Sequence, residues 1–94
     1  MPGAGTAPAA LNPEFLLYTR RDCGLCAEMR ASLHAAAGSR PYSCQLVDVD
    51  ENPALLEEFG LRVPVLVAGG RVLCEARFDE CAVAEYLAAF GASS

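Results

Sequence analysis

The chain has no tryptophan, no lysine and a single histidine. All seven basic residues are arginine, set against twelve acidic ones, for a net charge of −5. No cluster of cations interrupts that balance, so the phosphate backbone of a nucleic acid is not an expected partner. No apolar run approaches the roughly 18 residues that a membrane-spanning helix needs. The N-terminus has no basic stretch followed by an unbroken apolar one. Prolines and Glu14 interrupt it, so it does not read as a secretory signal. These absences point to the cytoplasm, where thiols are usually kept reduced. Five cysteines are an odd number, which rules out a fully paired framework within one chain. Structural zinc usually draws on a second close cysteine pair or on paired histidines. Cys44, Cys74 and Cys81 follow at scattered spacings and His34 stands alone, so no metal site is predicted.

What is present suffices for one domain of 94 residues, 53% of them apolar. Met1 to Pro13 is mostly Gly, Ala and Pro without helical or strand periodicity, and is expected to be a flexible tail. The folded domain is then expected over 14–94. Phe15-Leu16-Leu17-Tyr18-Thr19 is a short, almost continuous apolar run, as in a strand buried on both faces. Helix-forming residues follow from Leu25 to Ala37, with Leu25, Met29 and Leu33 on one face and Gly38 placed to end the helix. Tyr42 to Val49 reads as a second strand. Asn52 and Pro53 suit the N-cap and first position of a second helix, with Leu55, Leu56 and Phe59 on its apolar side. Val63–Val67 and Arg71–Glu75 read as strands joined by a Gly69-Gly70 hairpin turn. Asp79 is placed to cap a last helix carrying Val83, Tyr86, Leu87 and Phe90 at helical spacing. The predicted class is α/β, in the order β-α-β-α-β-β-α, with a four-stranded mixed sheet flanked by three helices.

The chemistry concentrates at Cys23-Gly24-Leu25-Cys26, between the first strand and the first helix. A helix N-terminus presents unpaired N–H groups and about half a positive charge, and both favour a thiolate over a thiol. The thiolate is the attacking species in disulfide exchange. Cys23, in the turn, is expected to be the exposed nucleophile, and Cys26, one turn on, the resolving thiol. Arg20 and Arg21 favour the charged sulfur and Asp22 opposes it. Cys44, Cys74 and Cys81 are read as small packing residues. Asp48 and Asp50 are read as solvated loop carboxylates.

Three segments carry a family resemblance: Leu17 to Cys26; Val47 to Pro53 followed by Phe59-Gly60-Leu61-Arg62; and Val63-Pro64-Val65-Leu66. Over residues 14–90 the chain resembles a glutaredoxin-like member of the thioredoxin superfamily, which implies a thioredoxin-like fold. The resemblance also implies that the Val63–Pro64 bond is cis and that the backbone of Val63 pairs with an extended substrate. The residues alone would equally permit an ordinary trans proline at the start of a strand. Arg20, three residues before the first cysteine, stands where such proteins hold a glutathione carboxylate. Asp79 matches an acidic residue that meets the glutathione amino group, and Arg77 is a further candidate carboxylate contact. The chain departs from the family between its cysteines, where Gly24-Leu25 replaces the usual Pro-aromatic pair. It departs again at Ala76-Arg77, where a Gly-Gly pair is usual.

The implied activity is dithiol–disulfide exchange through Cys23 and Cys26, with Val63, Pro64, Arg20, Arg77 and Asp79 binding the substrate. That substrate would be a disulfide-containing protein or a glutathione mixed disulfide. No tightly bound cofactor is expected, although glutathione is a possible co-substrate. A reductase of unspecified identity would regenerate a monomeric, cytoplasmic protein. The alternatives are the same fold used as a binding module without turnover, and an iron–sulfur or metal carrier.

Overall fold

The computed structural model describes residues 12–21 and 23–90. Most of the expected N-terminal tail, and Asp22, lie outside the described residues. Along the chain run strand β1 (Glu14–Thr19), helix α1 (Gly24–Ala37), strand β2 (Ser43–Asp48), a single 3-10 turn (Val49–Glu51), helix α2 (Pro53–Phe59), strands β3 (Val65–Ala68) and β4 (Arg71–Glu75), and helix α3 (Glu80–Ala89). The sheet order is β2-β1-β3-β4. β1 pairs with β2 in parallel, and with β3 antiparallel; β3 and β4 are also antiparallel. This is the four-stranded mixed sheet with three helices of the thioredoxin-like fold.

Local signals set most boundaries. Gly38 ends α1 at φ +62°, returning its N–H to the carbonyls of His34 and Ala35. The Asn52 side chain accepts from the N–H groups of Ala54 and Leu55, and Pro53 opens α2. Gly69 and Gly70, at φ +60° and +76°, make the tight turn between β3 and β4. Both conformations would strain a residue with a Cβ. The Asp79 side chain caps α3 by accepting from the Ala82 N–H.

The sheet has two unequal faces. Phe15, Leu17, Leu66 and Cys74 meet Met29 and Leu33 of α1 and Val83 and Leu87 of α3 in the main core. Edge-to-face contacts of the Phe15 ring with Tyr42 and Tyr86 close one end of it. On the opposite face a smaller cluster joins Val49, Phe59 and Val65, and the Tyr18 ring stacks on Phe59 at 4.5 Å. α2 has only 7 residues and covers only part of this face. β1 is consequently not buried equally on both sides as predicted: Phe15 and Leu17 are buried, whereas Leu16 is half-buried.

Four expectations are corrected. Leu25 does not join the apolar face of α1; the buried stripe is Cys26, Met29, Leu33 and Ala37, and Leu25 is 50% exposed. β3 begins at Val65 instead of Val63, because the Val63 N–H turns back to the Phe59 carbonyl at 3.0 Å and Pro64 has no N–H to give. Pro13, assigned to the tail, is buried, and its carbonyl accepts from the Ser43 N–H at 3.0 Å. Cys81 is exposed, so it is not a packing residue. Cys44 is half-buried and Cys74 buried, and burial pushes both thiols above their ordinary range.

Candidate active site

Cys23 is the N-cap of α1. Its backbone is extended and its Sγ accepts the Cys26 N–H at 3.2 Å. The sulfur thus takes one of the donors that a helix start leaves without an intrahelical partner. The first turn of α1 contains no acidic side chain to oppose negative charge there. Cys23 and Cys26 are joined as a disulfide with Cα atoms 5.3 Å apart. Cys23 is half-buried and Cys26 buried, the order of exposure expected from their positions in the turn and in the helix.

The Val63–Pro64 peptide bond is cis. The Pro64 carbonyl accepts the Ala76 N–H at 2.8 Å, which ties this loop to the end of β4. Arg62, just before Val63, donates through Nε and Nη2 to the Glu75 carboxylate at 3.0 and 2.8 Å. Its guanidinium also lies 5.0 Å from the centre of the Phe59 ring. This fork-shaped pair holds the Glu75 carboxyl below its ordinary range. The loop is therefore pinned to β4 from both of its ends. Only half of the expected Val63 backbone pairing is open, since its N–H is already engaged with Phe59.

Leu25, between the cysteines, lines a cleft of ≈ 330 Å³ with Glu28, Met29, Ser32, Ala76, Arg77 and Phe78. The cleft joins the cysteine-bearing end of α1 to the segment that leads from β4 to α3. Ala76 sits there at φ +65°, a left-handed conformation that glycine adopts more readily. Of the residues expected to bind substrate, Arg77 lines this cleft, and Pro64 is joined to it through the Ala76 N–H.

Arg20 and Asp79 already have partners. Arg20 donates through Nε to Asp50 Oδ1 at 3.2 Å, and its Nη2 lies 3.1 Å from the same oxygen. Asp50 Oδ2 accepts the Arg21 N–H at 3.3 Å. These two contacts, the Arg20 side chain first, hold the Asp50 carboxyl below its ordinary range. Asp50 therefore fastens the loop before Cys23 to the end of β2, and the expectation that it is merely solvated is corrected. Asp48 is also engaged, accepting the Asp50 N–H at 2.9 Å. Asp79 uses one oxygen as the α3 cap. Its N–H goes to the Cys74 sulfur at 3.2 Å. The Arg62–Glu75 and Arg20–Asp50 pairs were missed because the partners are 13 and 30 residues apart.

The fold and this site define a protein of thioredoxin-like fold with a cysteine pair at the start of its first helix. A variant of the thioredoxin from Halobacterium salinarum NRC-1 shares the fold at a TM-score of 0.52 and 27% identity, over 84% of this chain and 74% of that one. The chain belongs to the Glutaredoxin-like domain family (DUF836), whose model matches residues 14–88. It is also similar to protein Ne2328 from Nitrosomonas europaea, with a TM-score of 0.75 and 28% identity over 87% of this chain and 99% of that one. Protein Rv0508 of Mycobacterium tuberculosis is 33% identical over 64 residues, covering 63% of this chain and 66% of its own length.

Proposed function

We propose that the protein is a thiol–disulfide oxidoreductase that cycles Cys23 and Cys26 between dithiol and disulfide. The observation that supports this best is the seat of the pair: a half-buried cysteine at the N-cap of α1 whose sulfur accepts the N–H of its buried partner cysteine. In the reduced protein the same N–H and the helix dipole favour negative charge on Cys23.

The Cys23 thiolate attacks one sulfur of a substrate disulfide. A Cys23–substrate bond forms, the substrate's own S–S bond breaks, and the departing sulfur takes a proton. Cys26 then gives up its proton and attacks Cys23 Sγ. The Cys23–Cys26 bond closes, the Cys23–substrate bond breaks, and the second substrate thiolate is protonated. Two electrons pass from the protein to the substrate; one of the two protons comes from Cys26 and the other from solvent, to which Cys23 gave its own on ionising. An external thiol or dithiol reductant reverses the change in the protein. In this reading Val63 offers its carbonyl to an extended substrate chain, beside Pro64, and Arg77 meets a carboxylate. The substrate class is a disulfide-containing protein or a glutathione mixed disulfide, and the protein acts as a cytoplasmic monomer without a resident cofactor. No helix among the described residues is long and apolar enough to cross a membrane.

The test is equilibration in a series of glutathione redox buffers, acid quenching and mass spectrometry. A reversible Cys23–Cys26 disulfide with a defined midpoint is expected. The Cys23→Ser form should lose exchange, and Cys26→Ser should stop at a mixed disulfide on Cys23. No 23–26 disulfide at any ratio, or full exchange by Cys23→Ser, would overturn the reading.

A further inference from the structure

A second cleft, of ≈ 620 Å³, lies between α1 and β2. α1 contributes Arg30 and His34, four residues apart and so on one side of the helix. Tyr42 and Cys44, at the start of β2, form the opposite wall. No residue of the cysteine pair or of the Val63–Pro64 loop lines this cleft. Cys44 lies opposite Phe15, near the beginning of β1, whereas Cys23 follows the far end of that strand. The proposed exchange makes no use of these side chains.

The charge of the cleft runs against that of the chain. Its titratable side chains are Arg30, His34, Tyr42 and Cys44, and no carboxylate lines it, although the chain carries −5. By contrast, the cleft around Leu25 sets Glu28 against Arg77, and the one between β4 and α3 holds Glu75, Asp79 and Glu80. Arg20 and Arg62 are held by carboxylates, but Arg30 has no ion pair among the described residues. Burial raises the Cys44 thiol's pKa, and the Arg30 charge opposes that rise, so the guanidinium field reaches into the cleft. Tyr42 Oη lies 3.1 Å from His34 Nδ1. With the proton on Nδ1, His34 donates to that oxygen and leaves the tyrosine hydroxyl hydrogen for a ligand. Ala27 and Ala31 add apolar wall beside these donors. The volume suits a small organic molecule and exceeds what an inorganic ion fills.

We propose that this cleft binds a small organic anion. Its carboxylate or phosphoryl head is held by Arg30 and the His34–Tyr42 pair, and its apolar body lies against Ala27 and Ala31. The site is independent of whether Cys23 and Cys26 exchange disulfides.

The experiment titrates the oxidised full chain with benzoate, phenyl phosphate and inorganic phosphate at constant pH and ionic strength, following backbone amides by NMR. Benzoate or phenyl phosphate should produce saturable shifts centred on Arg30, His34 and Cys44, and the tighter of the two identifies the preferred head group. Inorganic phosphate, with no body to fill the cleft, should bind more weakly. Arg30→Gln, at an exposed position of α1, should weaken binding about tenfold, the worth of one charge-assisted hydrogen bond. Tyr42→Phe keeps the ring that meets Phe15 and should weaken binding several-fold. Spectra of both variants without ligand should otherwise match the parent. No saturable shift with either organic anion would overturn the inference. So would shifts centred on Cys23 and Cys26, binding that Arg30→Gln leaves unchanged, or inorganic phosphate binding as tightly as phenyl phosphate.

Discussion

Ala76 is the one non-glycine residue among those described with a positive φ, at +65°. Two short hydrogen bonds hold it there, from its own N–H to Pro64 at 2.8 Å and from the Arg77 N–H to Glu75 at 2.6 Å. A left-handed conformation costs an L-residue roughly 1–2 kcal/mol. Glycine escapes that cost but has more freedom to lose from the unfolded chain, worth about 0.4–1 kcal/mol. The Ala76 side chain is exposed, so removing its methyl group leaves no cavity. The difference favours Ala76→Gly by about 1 kcal/mol, which in a domain of this size raises Tm by roughly 4–8 °C. The control is Ala84→Gly, at an exposed position inside α3, where the same change costs about 1 kcal/mol. Thermal melts of the oxidised forms, followed by circular dichroism, provide the comparison. If Ala76→Gly lowers Tm as Ala84→Gly does, the left-handed conformation is not a source of strain and the reasoning fails.

Asp50 is expected to make stability depend on pH. Its folded-state carboxyl lies below the ordinary 3.8, so the stabilisation from Arg20 and the Arg21 N–H is fully present above that value. It is lost as pH falls through the lower, folded-state value. Urea midpoints of the parent and Asp50→Asn should therefore differ near neutrality and converge in acid below the ordinary range; an equal gap throughout would refute the assignment. Gly60→Ala places a Cβ 2.5 Å from the Leu56 carbonyl oxygen and 2.9 Å from Leu56 Cδ1, at the buried end of α2. The resulting overpacking should cost about 1–3 kcal/mol by denaturant titration, and an unchanged midpoint would show that α2 moves aside freely.

The features legible in the sequence were those decided over a few residues. The Asn52 and Asp79 caps, the Gly38 stop and the Gly69-Gly70 turn are all contacts or conformations within about four residues. The seat of Cys23 and Cys26 at a strand-to-helix turn was legible for the same reason. Leu25 was misassigned because helical spacing gives the direction of a side chain but not where its neighbours end. Cys81 was misassigned because composition alone makes any free cysteine resemble a core residue.

The amino-acid sequence by itself determined the order of elements, the caps and the cysteine pair, because each follows from local backbone preference and from the period of apolar residues. Only the tertiary structure decided which arginines are held by carboxylates. Arg20 meets Asp50 because β1 and β2 run parallel and end side by side, with Thr19 opposite Asp48. Arg62 meets Glu75 because β3 and β4 fold back on each other, with Val65 opposite Glu75. Those pairings depend on strand register across the sheet. No spacing along the chain encodes that register, and it is the register that gives Arg20 and Arg62 their carboxylate partners.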